Sequence, residues 1–273
     1  MQRLSPDQTL SELGRLGGED LSYQALSRAA AAGAVVLAVA ALSRRFSNTW
    51  RLLAFAGAVA FAAVAVGGGS RGPMLGLLIA VAVVAFRTRI GAALVALAGL
   101  AAWYLFPTVL LPLLPARLTS FDDGSTQVRA DAAALTIDHI RDNPLGTGFG
   151  SLEHVVAPAG PRALYYPHNV VLEVAGEAGL FAVAVFLGVV AVVLYRLWRH
   201  GTTFGDNATL ALLTFFFVNA LVSGDINSNR GLWLFLGVGC AIAFAGRKQS
   251  IDQVPETQPE DAPALDLASG RWK

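Results

Sequence analysis

His168 stands directly before the long apolar stretch Val170–Leu194, and two glutamates, Glu173 and Glu177, follow within that stretch. Ionisable groups in a membrane-spanning helix are costly to bury, so they usually face a bundle interior or a wet cavity. Residues four apart share one face of a helix, which predicts that both carboxylates point into the bundle. Because histidine titrates near neutral pH, His168 is a candidate for proton transfer at a membrane surface. The alternative is an interfacial polar cap, since Asn169 can cap the same helix.

Two opposed influences act on the pKa of His168. The positive end of the following helix disfavours the imidazolium, whereas Glu173, about a turn and a half inward, favours it. The residues alone leave the balance between the two open.

Arg71 lies in the segment Gly69-Ser70-Arg71-Gly72-Pro73, just before an apolar run. Proline is favoured in the first turn of a helix, so Arg71 is predicted at a helix N-terminus. Free backbone N–H groups, the positive end of the helix dipole and a guanidinium then converge, which suits a phosphate or diphosphate. Arg129, on a predicted helix over Ser125–Asp142, is a candidate second guanidinium. The alternatives are an Arg71 that extends to the membrane interface and a solvated Arg129.

The composition is that of a membrane protein: 55% of the 273 residues are hydrophobic and 14% are charged. A net charge of +1, with basic residues scattered between apolar runs, argues against nucleic-acid binding. The single cysteine, Cys240, excludes an intrachain disulfide. Apolar runs predict an all-α, polytopic helix bundle with about seven spans. The predicted spans are Tyr23–Leu42, Leu52–Gly69, Pro73–Phe86, Ile90–Phe106, Val170–Leu194, Thr209–Val222 and Leu232–Ala245.

Basic residues cluster in alternate connections between these spans, and the positive-inside rule places those connections in the cytoplasm. The other connections then lie outside, and they bring Arg71, Arg129, His168 and Arg230 to one side of the membrane. The basic residues are Arg44, Arg45 and Arg51, then Arg87 and Arg89, then Arg196 and Arg199, and last Arg247 and Lys248.

The predicted topology divides the chain into five parts. They are an extracytoplasmic N-terminal segment (1–22), the first membrane helices (23–106), an extracytoplasmic loop domain with a helix (107–167), the C-terminal membrane helices (168–246) and a disordered cytoplasmic tail (247–273). An outer N-terminus ahead of an odd number of spans, with no apolar leader, predicts further helices upstream of Met1.

Within the outer loop, Asn143-Pro144 predicts the end of the helix, and a glycine-rich loop, Leu145–Gly150, follows. That loop lacks the Gly-Lys-Ser/Thr of a P-loop, and no strand precedes it, so a helix-terminating turn is favoured. His139, His154 and His200 have no ligand-like spacing, so no metal site is predicted.

Taken together, these motifs resemble the O-antigen ligase and polymerase superfamily in order and spacing. The resemblance covers roughly Tyr23 to Ala245. It rests on Gly69-Ser70-Arg71-Gly72, Arg129 ahead of Asn143-Pro144-Leu145-Gly146-Thr147-Gly148, Pro167-His168-Asn169 with Glu173, Glu177 and Gly179-Leu180, and Ser223-Gly224-Asp225 with Asn229-Arg230-Gly231-Leu232-Trp233.

The resemblance implies a metal-independent, inverting glycosyltransferase without a cofactor in the bacterial plasma membrane. Its substrates would be a glycan on a polyprenyl diphosphate carrier and an acceptor hydroxyl on lipid A core, another glycan or a protein. Arg71 and Arg129 would hold the diphosphate, and His168 would orient or deprotonate the acceptor. The supporting positions would be Ser70, Asn169, Glu173, Glu177 and Arg230.

Members of the superfamily usually have more membrane helices before the region where this chain begins. A fragment, an inactive relative or one half of a complex therefore stays open, as does a non-catalytic role in lipid-glycan transport or assembly. Such a role would use the same arginines but need no base.

Overall fold

A computed structural model describes residues 23–87, 91–93, 97, 124–157 and 166–245. The described part of the chain is helical and holds eight principal helices. They are α1 (Tyr23–Leu42), α2 (Asn48–Gly67), α3 (Arg71–Ala85), α4 (Gly124–Asp142), α5 (Leu152–Val156), α6 (Val170–His200), α7 (Phe204–Ala220) and α8 (Arg230–Ala245).

The first two helices form an antiparallel hairpin. Near the start of α1, the Ser27 hydroxyl donates to the Ala65 carbonyl at 2.7 Å, and near its end the Ala41 carbonyl accepts from Arg51 Nε at 2.9 Å. Gly33 lets the two helices approach closely, because a Cβ there would lie 2.8 Å from the ring of Phe61. Small residues allow this close packing in an apolar environment, where no hydrophobic force drives helices together.

The core forms where α1, α3 and α7 meet. Ala34 and Val35 of α1, Ala80 of α3 and Phe215 of α7 are all buried in one cluster. Gly76 packs directly on α7, since a Cβ at that position would lie 2.9 Å from the Phe215 carbonyl oxygen.

Helix α6 is interrupted at Gly179, which has φ 88° and ψ 170°. This conformation favours glycine, which lacks the Cβ that makes positive φ unfavourable. The part of α6 from Leu180 to His200 is about 30 Å long at a rise of 1.5 Å per residue, enough to cross the hydrocarbon core. The sequence predicted one continuous span from Val170 to Leu194. Instead, Glu173 and Glu177 belong to a short helical segment ahead of the break.

Three described helices are long and apolar enough to cross a membrane: Gln24–Leu42, Asn48–Gly67 and Val170–His200. Helices α3 and α8 are apolar but shorter. The predicted span Ile90–Phe106 lies almost wholly outside the described residues, as do the N-terminal segment, the first part of the outer loop and the C-terminal tail. The outer helix predicted over Ser125–Asp142 is confirmed as α4, which ends immediately before Asn143.

The helix bundle has two ends, which we call the basic end and the histidine end after the residues that lie there. At the basic end, Arg87 donates to the Gly201 carbonyl and to Asn207 Oδ1, and Arg196 donates to the Ala243 carbonyl at 3.0 Å. A cavity of about 340 Å³ there is lined by Ser43, Arg87 and Gly201 among others, so the α1–α2 connection lies at the same end.

At the opposite, histidine end lie the starts of α3, α6 and α8 and the end of α7. A Cβ on Gly72 would lie 3.2 Å from Asn219 Oδ1, and Glu173 Oε2 accepts from the Ile226 N–H at 2.9 Å. The two ends match the alternation of basic connections in the sequence. Which end faces outward remains a prediction.

Candidate functional site

His168 lies two residues before α6 in a conformation unusual for a non-glycine residue. Its φ is 56°, and it is the one non-glycine residue with positive φ in the described ranges. Such conformations cost about 1–3 kcal/mol and cluster at functional sites. The side chain is 8% exposed, and its ring lies 4.6 Å from the ring of Tyr166 at an interplanar angle of 58°. The imidazole is therefore held in one place by packing.

Asn169 caps α6, as the sequence predicted. Its Oδ1 accepts from the backbone N–H of Val171 at 2.9 Å and of Leu172 at 3.2 Å. Because Asn169 is adjacent to His168, this cap also fixes the position of the His168 backbone relative to the start of α6.

The pKa of His168 is lowered from 6.5 to about 4. Burial is the main cause because it removes water from the imidazolium, and the positive charge of Arg129 acts in the same direction. Asp225 opposes them by favouring the charged form. At neutral pH His168 is therefore uncharged and able to accept a proton.

These influences on the pKa of His168 correct the expectation, made from the sequence, of which carboxylate favours the imidazolium. Glu173 was expected to favour the imidazolium, but Asp225 is the acid that raises the pKa of His168. The Glu173 carboxylate instead accepts the Ile226 N–H, 53 residues away in sequence.

Tyr166 packs against the imidazole of His168. Burial raises the pKa of its hydroxyl, and the negative charges of Asp225 and Glu173 raise it further, while Arg129 and Arg28 lower it. The hydroxyl thus stays protonated at neutral pH. The sequence did not single out Tyr166 as a site residue.

Arg129 and His168, which the sequence predicts on one side of the membrane, lie close enough to interact electrostatically. Helix α4, which carries Arg129, packs against α6, and Arg129 is close enough to act on the pKa of both His168 and Tyr166. The structure therefore supplies a cation beside a neutral imidazole.

Arg71 begins α3, and Ser70 occupies the N-cap position without a side-chain cap hydrogen bond. The next residue, Gly72, packs against the end of α7, 3.2 Å from Asn219 Oδ1 if a Cβ is added. Arg71 thus lies at the histidine end, and helix α3 directs its N-terminal N–H groups toward that end. Arg230 is exposed at the start of α8, at the same end.

Two buried glutamates tie the start of α6 to its surroundings. Glu177 Oε1 accepts from the Gly150 N–H at 2.8 Å, and Glu173 reaches the loop before α8. Each carboxylate thus fixes a different loop against the same short helical segment, which suits a positioning role.

Asp225, which the sequence placed only within a family motif, lies in a tight turn. Its backbone N–H donates to Ser228 Oγ at 2.9 Å, and its carbonyl accepts from Asn229 Nδ2 at 2.7 Å. Gly224, with φ 81°, begins the turn. The carboxylate of Asp225 raises the pKa of His168 from this turn. Sequence spacing alone does not reveal this interaction.

The sequence did not single out Arg28 as a site residue. In the structure its guanidinium is partly buried at the start of α1 and acts on Tyr166. The Arg28 Nε atom is buried and has no hydrogen-bond partner among the described residues.

Four buried side-chain atoms lack a hydrogen-bond partner in the described ranges, and all four belong to residues at the histidine end. They are Arg28 Nε, His168 Nδ1, Asn219 Nδ2 and Asn219 Oδ1. Buried polar groups are nearly always paired, because an unpaired one costs about 1–3 kcal/mol. These four atoms are therefore candidate contacts for a polar ligand.

The glycine-rich loop does not offer its amides to such a ligand. The N–H groups of Thr147 and Gly148 donate to the carbonyls of Gly176 and Glu177, at 3.1 and 2.9 Å. The loop therefore docks on the broken segment of α6. In the part of the chain that the structure describes, no group of three or more metal-ligating side chains is arranged for a metal ion.

A comparison with protein families places these residues in context. The family model described as O-antigen ligase matches residues 56–187, a segment that includes Arg71, Arg129, His168 and both glutamates. No curated protein matches the chain.

Proposed function

This chain belongs to the O-antigen ligase family through residues 56–187, and from that membership we propose that it is a membrane glycosyltransferase of the ligase or polymerase type. It moves a glycan from a polyprenyl diphosphate carrier to an acceptor hydroxyl. The observation that carries the proposal is a neutral His168 that lies within electrostatic reach of Arg129 and whose buried Nδ1 has no hydrogen-bond partner among the described residues.

In the proposed reaction, the acceptor hydroxyl gives its proton to the imidazole of His168. The acceptor oxygen forms a bond to the anomeric carbon while the bond from that carbon to the diphosphate oxygen breaks. Attack opposite the leaving group inverts the anomeric configuration. A positioned base contributes about 10²–10⁴-fold to such a step.

The departing diphosphate carries the negative charge that develops. Arg71, at the N-terminus of α3, and Arg129 neutralise it, which is the task that a divalent cation performs in other phosphate chemistry. Arg28 and Asn219 add unpaired donors at the same end of the bundle and support this assignment.

After proton transfer His168 becomes an imidazolium, and Asp225 is the charge that favours this form. Asn169 supports the site by capping α6, and Glu173 and Glu177 support it by fixing the surrounding loops. Ser70 and Arg230 support it from the starts of α3 and α8. With the basic end in the cytoplasm, the site faces the outer side of the plasma membrane.

The test is transfer by the purified chain, reconstituted in vesicles with a lipid-linked glycan and excess EDTA. Acceptors are lipid A core, a free glycan and a hydroxyl-bearing peptide, tried in parallel. We expect product with one acceptor class and an inverted anomeric linkage by NMR. Donor binding without product for all three would favour a transport or assembly role instead.

A further inference from the structure

Large apolar side chains are exposed where the glycine-rich loop meets the break in α6. Leu145 is 88% exposed, Phe149 81% and Phe181 80%, and Leu180 is also exposed. We call these four residues the loop-break patch. Exposed apolar clusters on folded proteins mark contact surfaces, because contact with water is unfavourable for them.

The backbone of this region is fixed by its own contacts. The Leu180 N–H donates to the Pro144 carbonyl at 2.9 Å, and the Gly148 N–H donates to the Glu177 carbonyl at 2.9 Å. A Cβ on Gly179 would lie 2.6 Å from the backbone of Leu145, so the loop lies directly on the break. Leu145 and Phe149 are therefore held outward by a packed backbone.

Glycines make this geometry possible. Gly146, Gly148 and Gly150 all have positive φ, between 80° and 98°. The alternating glycines let the chain fold back on α6 and leave the side chain of Phe149, between Gly148 and Gly150, exposed.

The position of the patch along α6 identifies what covers it. Leu180 and Phe181 are the first residues of the part of α6 whose length, about 30 Å, matches the hydrocarbon core. The patch thus continues the lipid-facing surface of that helix at its outer edge. Exposed charged residues flank the loop in sequence, with Arg141 paired to Asp138 at 2.8 Å on α4 and Glu153 exposed on α5.

We propose that the loop-break patch inserts into the bilayer and anchors the outer helices α4 and α5 to the membrane surface. The lipid chains cover Leu145 and Phe149, while the charged rim stays in the headgroup region. This inference rests on the patch and the break alone and is independent of the enzymatic proposal.

Spin labels test the insertion directly, because Cys240 is the one cysteine in the sequence. In a Cys240→Ala background, labels at Leu145→Cys or Phe149→Cys each leave the other anchor residue in place. The protein is reconstituted in phosphatidylcholine vesicles without polyprenyl lipid. Labels at Glu153→Cys and Arg141→Cys are the matched rim controls.

We expect the labels at 145 and 149 to collide more often with oxygen than with a water-soluble nickel chelate, and the rim labels to show the reverse. Equal access to the chelate at 149 and 153 would overturn the proposal, and so would shielding of 149 from both reagents. The wild-type chain gives a second measurement that needs no substitution. A diazirine on the lipid acyl chain should label the peptide containing Leu145 and Phe149, and its absence from the labelled peptides would count against insertion.

Discussion

At the basic end of the bundle the arginines form hydrogen bonds within the protein, whereas at the histidine end four buried polar atoms lack a partner among the described residues. Arg87 binds the Gly201 carbonyl and the Asn207 side chain, and Arg196 binds the Ala243 carbonyl and lies 4.5 Å above the ring of Phe244. At the histidine end, Arg28 Nε, His168 Nδ1 and the Asn219 amide have no partner in the described ranges. Similar residue types therefore make structural hydrogen bonds at the basic end, and we propose that they bind substrate at the histidine end.

Loss of Arg129 should have the largest effect on the histidine end. Removing one charged group that stabilises the departing diphosphate is expected to lower the transfer rate about 10²–10³-fold. The measurement is initial-rate transfer in vesicles by Arg129→Ala. Arg141→Ala is the matched control, since Arg141 lies on the same helix but is exposed and paired with Asp138. Equal rates for both variants would remove Arg129 from the chemistry.

Low pH should distinguish the two ends, because it protonates His168 at the histidine end. Since its pKa in the folded protein is about 4, transfer is expected to stay level near neutrality and fall about tenfold per pH unit below that pKa. The folded protein favours the neutral form, so stability present above the unfolded pKa of 6.5 is lost as pH falls toward about 4.

His168→Gln removes this titration and serves as the control. Its melting temperature should fall less than that of the wild type between neutral and acidic pH. Identical pH profiles of stability would contradict the burial of a neutral imidazole.

Arg28 tests whether an unpaired donor at the histidine end binds the donor substrate. Arg28→Met keeps the length of the side chain but removes the guanidinium, and a hydrogen bond to a charged group is worth about 1.5–3 kcal/mol. We expect the KM for the lipid-linked glycan to rise about tenfold with little change in kcat. An unchanged KM would leave Arg28 a structural residue.

The same comparison predicts opposite effects on stability. Arg87→Ala breaks hydrogen bonds to Gly201 and Asn207, and it should cost about 1–3 kcal/mol. Arg28→Met removes a buried group without a partner at Nε, so its stability should be equal to or above that of the wild type. Thermal unfolding in one detergent measures both. A larger loss for Arg28→Met would reverse the assignment of the two ends.

The sequence was sufficient to predict the helix that carries Arg129, because helix signals are local patterns. The cap at Asn169 and the end of α4 before Asn143 follow from the same local rules. These signals act over a few residues, so one chain is enough to detect them.

Other features depend on contacts between distant segments. A glycine is common in a membrane helix, so Gly179 gave no sign that α6 breaks there; the break depends on the loop from Pro144 to Gly150 docking on it. Asp225 acts on the pKa of His168 from a loop that the hydrogen bond between the Ile226 N–H and Glu173 ties to α6. Arg28 lowers the pKa of Tyr166, although well over a hundred residues separate the two in sequence.

The central claim is that His168 is the base of a site built at one end of the bundle. Its most direct test is glycan transfer by His168→Ala in vesicles, with donor binding measured on the same preparation. His154→Ala, an exposed histidine on α5, is the matched control. We predict that His168→Ala loses about 10²-fold or more in rate, with donor binding retained, while His154→Ala transfers like the wild type. Transfer by His168→Ala at the wild-type rate would contradict the account.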